Sequence, residues 1–129
     1  MSRSRSDRVA AYVDSPALAK RIRLGPDLAC EVSGSLGIYQ TRASVRQRGE
    51  SSCTCPSEIV PCKHVDALRE TYKVRPTSFV EAERLLAKFA PRSKEQMVAQ
   101  IRTATLASPS ILSALGLVEF EEADEFLDD

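Results

Sequence analysis

Three of the four cysteines and the only histidine of this 129-residue chain fall within twelve residues, in CTCPSEIVPCKH from Cys53 to His64. In extended backbone, Cys53 and Cys55 leave the same face and can reach one ion. The six residues PSEIVP return the chain, and Cys62 and His64 then open a segment with helical period. Backbone N–H groups at a helix start are available to thiolate sulfurs. Three thiolates and one neutral imidazole suit tetrahedral Zn²⁺, and four protein ligands leave no open position, so such a site is structural. Its net charge of about −1 is compensated by amide donors and Lys63. A redox C-x-C pair beside an unrelated Cys and His would leave unexplained why the sole histidine lies two residues from the third cysteine. A Cys/His nucleophile would need base geometry and an orienting third group. Cys30 shares strand parity with Leu28 and Val32 and is expected to pack in the core.

The spacing C-x-C, six residues, C-x-H, written here CTCPSEIVPCKHVDAL, resembles the SWIM-type zinc finger. The likeness includes Pro56 after the second cysteine and Lys63, His64, Val65, Ala67 and Leu68 running into a helix. It covers roughly residues 28–74 and looks like that of a small stand-alone prokaryotic member. The resemblance implies a zinc-stabilised β-β-α finger, a hairpin plus a helix, with Cys53, Cys55, Cys62 and His64 holding one structural Zn²⁺. Members of the family occur beside helicase-like ATPases, in transposases, and in recombination-mediator complexes with RecA-like paralogues, in DNA-binding or protein-interaction roles. The chain departs from many bacterial members in lacking an Arg-Gly and aromatic-rich helix before the hairpin, and it carries no ATPase, so any motor would come from a partner. Its stretch SKEQMVAQIRTATLASPSILSALGL is similar to the helical extension of bacterial stand-alone members.

Periodicity divides the chain into a basic N-terminal tail (1–14), the finger domain (15–75), a helical extension (76–116) and an acidic tail (117–129), an α+β arrangement overall. Residues 1–8 alternate Ser and Arg without apolar anchors and are expected to be disordered, with a short helix over 8–13. Ser15-Pro16 reads as a helix start, with Leu18, Ile22 and Leu24 as its stripe and Gly25-Pro26 as its stop. Alternation over 28–48 predicts a β-hairpin with Leu28, Cys30, Val32, Tyr39, Ala43 and Val45 on one face and Arg42, Arg46 and Arg48 on the other. Val65, Leu68 and Tyr72 mark an amphipathic helix ended by Pro76. Thr77 or Ser78 is read as the cap of a helix carrying Phe79, Ala82, Leu85, Leu86 and Phe89 inward. Ser93 and Gln96 form a capping box before a buried stripe of Met97, Val98 and Ile101. Ser108-Pro109 opens a last helix that Gly116 stops.

The formal net charge of zero conceals two blocks. Seven acids and no base lie in 117–129, leaving 18 basic residues against 11 acids elsewhere. These patterns suggest a non-enzymatic zinc module, an adaptor within a DNA-handling complex (repair, recombination, transcription or remodelling) that docks a protein partner of helicase-like ATPase or recombinase type. Phe120, Phe126 and Leu127 among the tail acids are the candidate partner contacts. The alternative is direct, non-sequence-specific DNA binding through Arg42, Arg46 and Arg48, with Arg21 and Arg23 nearby. No apolar run reaches 18 residues and the N-terminus lacks a signal-peptide core, so a cytoplasmic protein with neither membrane contact nor small-molecule substrate is expected.

Overall fold

The computed structural model describes residues 4–34, 36–46, 50–56 and 62–120. It is α+β, with a small mixed sheet and helices, and divides into two compact units, Met1–Ala87 and Lys88–Asp129.

The first unit begins with α1, Arg5–Tyr12, so residues 5–8, expected to be disordered, are helical. The reason is a cap: Ser4 Oγ accepts from Asp7 N–H at 3.2 Å, satisfying one of the unpaired amides of the first turn. Tertiary packing supplies the rest, since α1 lies against the later helix α2, Lys63–Val74.

Residues 18–24, expected as a helix, form strand β1, Leu18–Leu24. Gly25-Pro26 is a hairpin turn and not a helix stop. Gly25 has φ 61° at the first central position, the conformation a type II′ turn requires, and Leu24 pairs with Asp27 across it. A β-bulge interrupts β1 between Leu18 and Ile22. The register shifts between Ala19 and Ile22, with Lys20 at φ 54°. One extra residue reverses the parity, so Leu18 opposes buried Val32 while Ile22 opposes Ala29 on the outer face.

The expected hairpin is present as β2, Asp27–Gly34, and β3, Gly37–Ser44, paired from Asp27↔Ser44 to Gly34↔Gly37. Leu28, Cys30 and Val32 of β2 and Tyr39, Thr41 and Ala43 of β3 are buried on one face. Helix α2 covers that face with Val65, Ala67, Leu68 and Thr71. Val45 follows the strand and is exposed. Two short edge strands complete the order β4-β3-β2-β1-β5: β4, Ser52–Cys53, antiparallel to β3, and β5, Val80–Glu81, parallel to β1.

The helix expected from Phe79 is shorter than its apolar spacing implied. Pro76–Ser78 is a 3₁₀ turn, Phe79 is extended (φ −98°, ψ 134°), and only Ala82–Leu86 is α-helical, as α3. Phe79 is 5 % exposed and meets the Tyr72 ring edge-on at 5.2 Å. Burial of that ring and the β1 edge pairing outweigh local helix preference, and Leu85 and Leu86 remain about half exposed.

Arg21, on the bulge, locks the unit. Its guanidinium donates to Leu18 O (2.8 Å), Asp14 Oδ1 (2.8 Å), Ser78 Oγ (2.9 Å) and Ser15 O (2.9 Å), with the side chain 10 % exposed. Those bonds hold the Asp14 carboxyl below its usual range, with Arg75 adding to the effect. Arg21→Met keeps the stem but leaves Leu18 O and Ser15 O short of a donor. It is expected to cost about 2 kcal/mol, the scale of hydrogen bonds to a charged group. Urea unfolding at saturating metal measures it, and a loss below about 0.5 kcal/mol, that of an ordinary surface change, contradicts the locking role.

In the second unit, α4, Lys94–Ala107, carries the expected capping box: Gln96 N–H donates to Ser93 Oγ at 3.1 Å and Ser93 N–H to Gln96 Oε1 at 2.9 Å. Helix α5, Ile111–Ala114, ends at Gly116 with φ 73°. The bonds Leu117 N–H to Leu112 O and Gly116 N–H to Ser113 O form a Schellman motif. The expected burial of Met97, Val98 and Ile101 is not found: Met97 is half-buried, and Val98 and Ile101 are 49 % and 43 % exposed. Among the described residues from Lys88 onward none is buried, because one helix and one short turn of another have too little surface to enclose a core.

Candidate metal centre

The two halves of the cluster are carried by different elements. Strand β4 is fixed to β3 by Thr41↔Cys53 and Arg42↔Ser52 pairing, by Thr54 N–H to Gln40 O (3.2 Å), and by Gln40 N–H to Thr54 Oγ1 (2.9 Å). This keeps 52–54 extended, with Cys53 toward the core side. Cys62 is the N-cap of α2, its carbonyl accepting from Asp66 N–H at 3.3 Å, and His64 lies in the first turn. The linking residues 57–61 lie outside the described residues.

One ligand atom from each of Cys53, Cys55, Cys62 and His64 lies within 4.8 Å of all the others. His64 Nδ1 is 3.7 Å from Cys53 Sγ and 3.8 Å from Cys62 Sγ. Tetrahedral bonds of roughly 2.3 Å to sulfur and 2.0–2.1 Å to nitrogen give edges of about 3.8 Å between sulfurs and about 3.6 Å from sulfur to nitrogen. The donor set and its spacing fit a metal ion, bound through Nδ1 of the imidazole.

The electrostatics agree with that use. Burial lowers the His64 pKa, and the Lys63 charge adds to it, so the imidazole is held in the neutral form a metal needs. Burial also pushes the Cys62 thiol up to about 11, opposed by a hydrogen bond from the Val65 amide. A divalent ion reverses that preference by placing positive charge against the sulfur. Cys62 and His64 are 5 % and 3 % exposed, closed off from water.

Around the ligands lie residues that sequence patterning did not single out as site residues. Thr41 Oγ1 is 3.2 Å from Cys53 Sγ, within reach to donate to a thiolate. The rings of Tyr12 and Tyr39 pack on the imidazole with centroids at 4.8 Å and 5.5 Å. Tyr39 was legible as a core position by parity; Tyr12 lies fifty-two positions from His64 and no local pattern links them. Cys30 is core, as expected: it is 4 % exposed, burial pushes its thiol up to about 12, and Thr41 separates it from Cys53 across the sheet.

Among the described nucleic-acid candidates, Arg42 lies on the opposite sheet face from Arg21 and Arg23. Arg42 lies on the outer sheet face with Asp27 at 3.4 Å, and Lys20 pairs with Glu31 at 3.0 Å. Arg46 is exposed just beyond the end of β3, and Arg48 lies outside the described residues. Arg21 and Arg23 point to the helix-covered side. Arg21 is engaged as described above, and Arg23 donates to Gly25 O and Tyr72 Oη and sits over the Tyr72 ring. Of the candidate partner contacts, Phe120 is 53 % exposed, while Phe126 and Leu127 lie outside the described residues. No described helix is long and apolar enough to cross a membrane. No protein-family model, curated protein or solved structure matches the chain.

Proposed function

We propose that this chain is a zinc-binding interaction module with no catalytic role, an adaptor within a DNA-handling complex. The observation that carries the reading is the convergence of three sulfurs and one imidazole nitrogen within 4.8 Å. Soft thiolates disfavour Mg²⁺ and Ca²⁺, and an S₃N donor set favours tetrahedral zinc. Four protein ligands leave no site for a bound water or substrate, so the ion would hold structure and perform no chemistry.

The adaptor half draws support from the second unit, where Val98, Ile101, Leu106, Leu112, Leu115 and Leu117 line an apolar groove between α4 and α5. An exposed apolar groove on a unit whose described residues include none that is buried is what a docking element presents. The DNA-handling context comes from the SWIM-type resemblance of the finger. Direct phosphate binding has weaker support, because Lys20 and Arg42 each face an acid and Arg21 and Arg23 serve internal bonds.

Elemental analysis of the purified full chain is expected to give one zinc per polypeptide; a value far below one would sink the metal half. Ile101→Glu with Leu115→Glu is expected to abolish recovery of the partner from native cells while zinc content stays unchanged. Recovery equal to that of the unaltered chain would sink the adaptor half.

A further inference from the structure

When Nδ1 of a histidine binds a metal, Nε2 carries the proton and normally donates to a carboxylate, carbonyl or water that fixes the ring. Among the described residues, His64 has no such acceptor. Its Nε2 is fully buried and, among the described residues, has no hydrogen-bond partner. Its other nitrogen faces the sulfurs, so the unpartnered N–H edge is turned away from them.

Two aromatic rings, those of Tyr12 and Tyr39, pack against the imidazole. The Tyr12 ring stands perpendicular to the His64 ring, 89° between planes at 4.8 Å between centroids. In a perpendicular contact the positive edge of one ring can meet the negative π face of the other, and an N–H is the most positive edge an imidazole offers. Tyr12 is held in place from three directions. It ends α1, which packs on α2. Two residues on, Asp14, at φ 53°, donates its N–H to Thr71 Oγ1 at 2.8 Å. The Lys63 ammonium lies 5.6 Å from the Tyr12 ring centroid.

We infer that Tyr12 is a positioning residue of the metal centre: its π face stands in for the missing oxygen acceptor, holds His64 with Nδ1 toward the ion, and ties the N-terminal helix to metal occupancy. This rests on the zinc reading. A helix that begins before the finger thereby becomes part of its coordination apparatus.

The test uses the full chain and competition with a chelator of known zinc affinity. Tyr12→Leu keeps apolar bulk but removes the π face, and is expected to weaken zinc binding by about tenfold, the lower end for loss of a partner behind a ligand. Tyr12→Phe keeps the face and is expected to leave affinity unchanged. A readout independent of affinity comes from the sole histidine, which gives one set of imidazole NMR signals. The Tyr12 share of the ring-current displacement of the His64 ring protons should persist in Tyr12→Phe and be lost in Tyr12→Leu, where only the Tyr39 ring remains. Circular dichroism of the zinc-saturated variants separates this from a folding defect. Unchanged affinity in Tyr12→Leu, or equal weakening in Tyr12→Phe, overturns the inference while the zinc reading stands. An unaltered chain that holds no zinc removes both.

Discussion

Removing the metal with a chelator is expected to lower the melting midpoint of the first unit by more than about 20 °C or erase the transition, with recovery on adding one equivalent of zinc. Structural zinc contributes roughly 10–16 kcal/mol of apparent binding free energy in small fingers, against about 5–15 kcal/mol for the whole stability of a typical domain. This unit has more core than a bare finger, since Leu18, Leu28, Val32, Val65, Leu68 and Phe79 are all buried. Even so, a net loss of only about 5 kcal/mol moves the midpoint of a domain this size by about 20 °C or more. Strand β4 is two residues long and touches α2 at few positions among the described residues, so a shared metal ion would be its main tie to that helix. The pH dependence should reverse with metal content. In the metal-free protein the buried Cys62 thiol rises from an ordinary 9.0 to about 11, so its stabilising effect is fully present below 9 and lost as pH rises through that window. With metal bound, the thiolates must stay deprotonated and stability falls on acidification instead. Cys30→Ala is the internal control. It removes a buried thiol outside the ligand group, is expected to cost about 1 kcal/mol, and should leave zinc content unchanged. A metal-free midpoint within a few degrees of the loaded one would show that the core alone holds the fold.

The parts of this molecule that were legible in its sequence are those whose determinants are local. The ligand spacing, the hairpin alternation over Leu28–Ala43, the Ser93 capping box and the Gly116 stop each occupy a few consecutive residues, and each is found as read. The failures arise where a strand irregularity or a contact distant in sequence decides the outcome. Over Leu18–Leu24 the even spacing of Leu18 and Ile22 fits a strand as well as a helix, the bulge at Lys20 sets the two on opposite faces, and the glycine that follows serves a turn equally well. At Phe79 a distant aromatic contact outweighed a helical pattern. At the candidate metal centre, the four Cys/His residues were legible because they happen to lie within twelve positions, while Thr41 and Tyr12 reach the site through β3 and α1 and left no local mark. The arginine reading met the same limit. Strand parity assigned Arg42 an outer face correctly but could not reveal Asp27 beside it, and Arg21 became internal only because Asp14, Ser15 and Ser78 fold around it.

Gly34→Ala is expected to destabilise the first unit by about 3 kcal/mol, a large effect for one methyl group on a hairpin end. The position is not special for its backbone; the constraint is space. A Cβ there would overlap Cε2 of Tyr39 and lie 2.9 Å from Cδ2 and 3.0 Å from Cζ of the same ring. A rigid ring cannot yield as a flexible side-chain end does. Tyr39 is 8 % exposed, its hydroxyl oxygen accepts from Leu36 N–H at 3.1 Å, and its ring packs 5.5 Å from that of His64. Displacing it therefore loosens the turn, opens the core and withdraws one wall of the metal centre together, so zinc affinity should fall along with stability. The mechanism makes a sharper demand than the magnitude. Because the whole penalty is the clash with one ring, Tyr39→Ala alone should cost about 3–5 kcal/mol, and adding Gly34→Ala to it should cost almost nothing further. Urea unfolding of the two single variants and the double variant at fixed zinc measures the coupling, expected at about 3 kcal/mol. Simple additivity would mean that the methyl group acts on the strand itself, and that the ring over Gly34 is a neighbour without consequence.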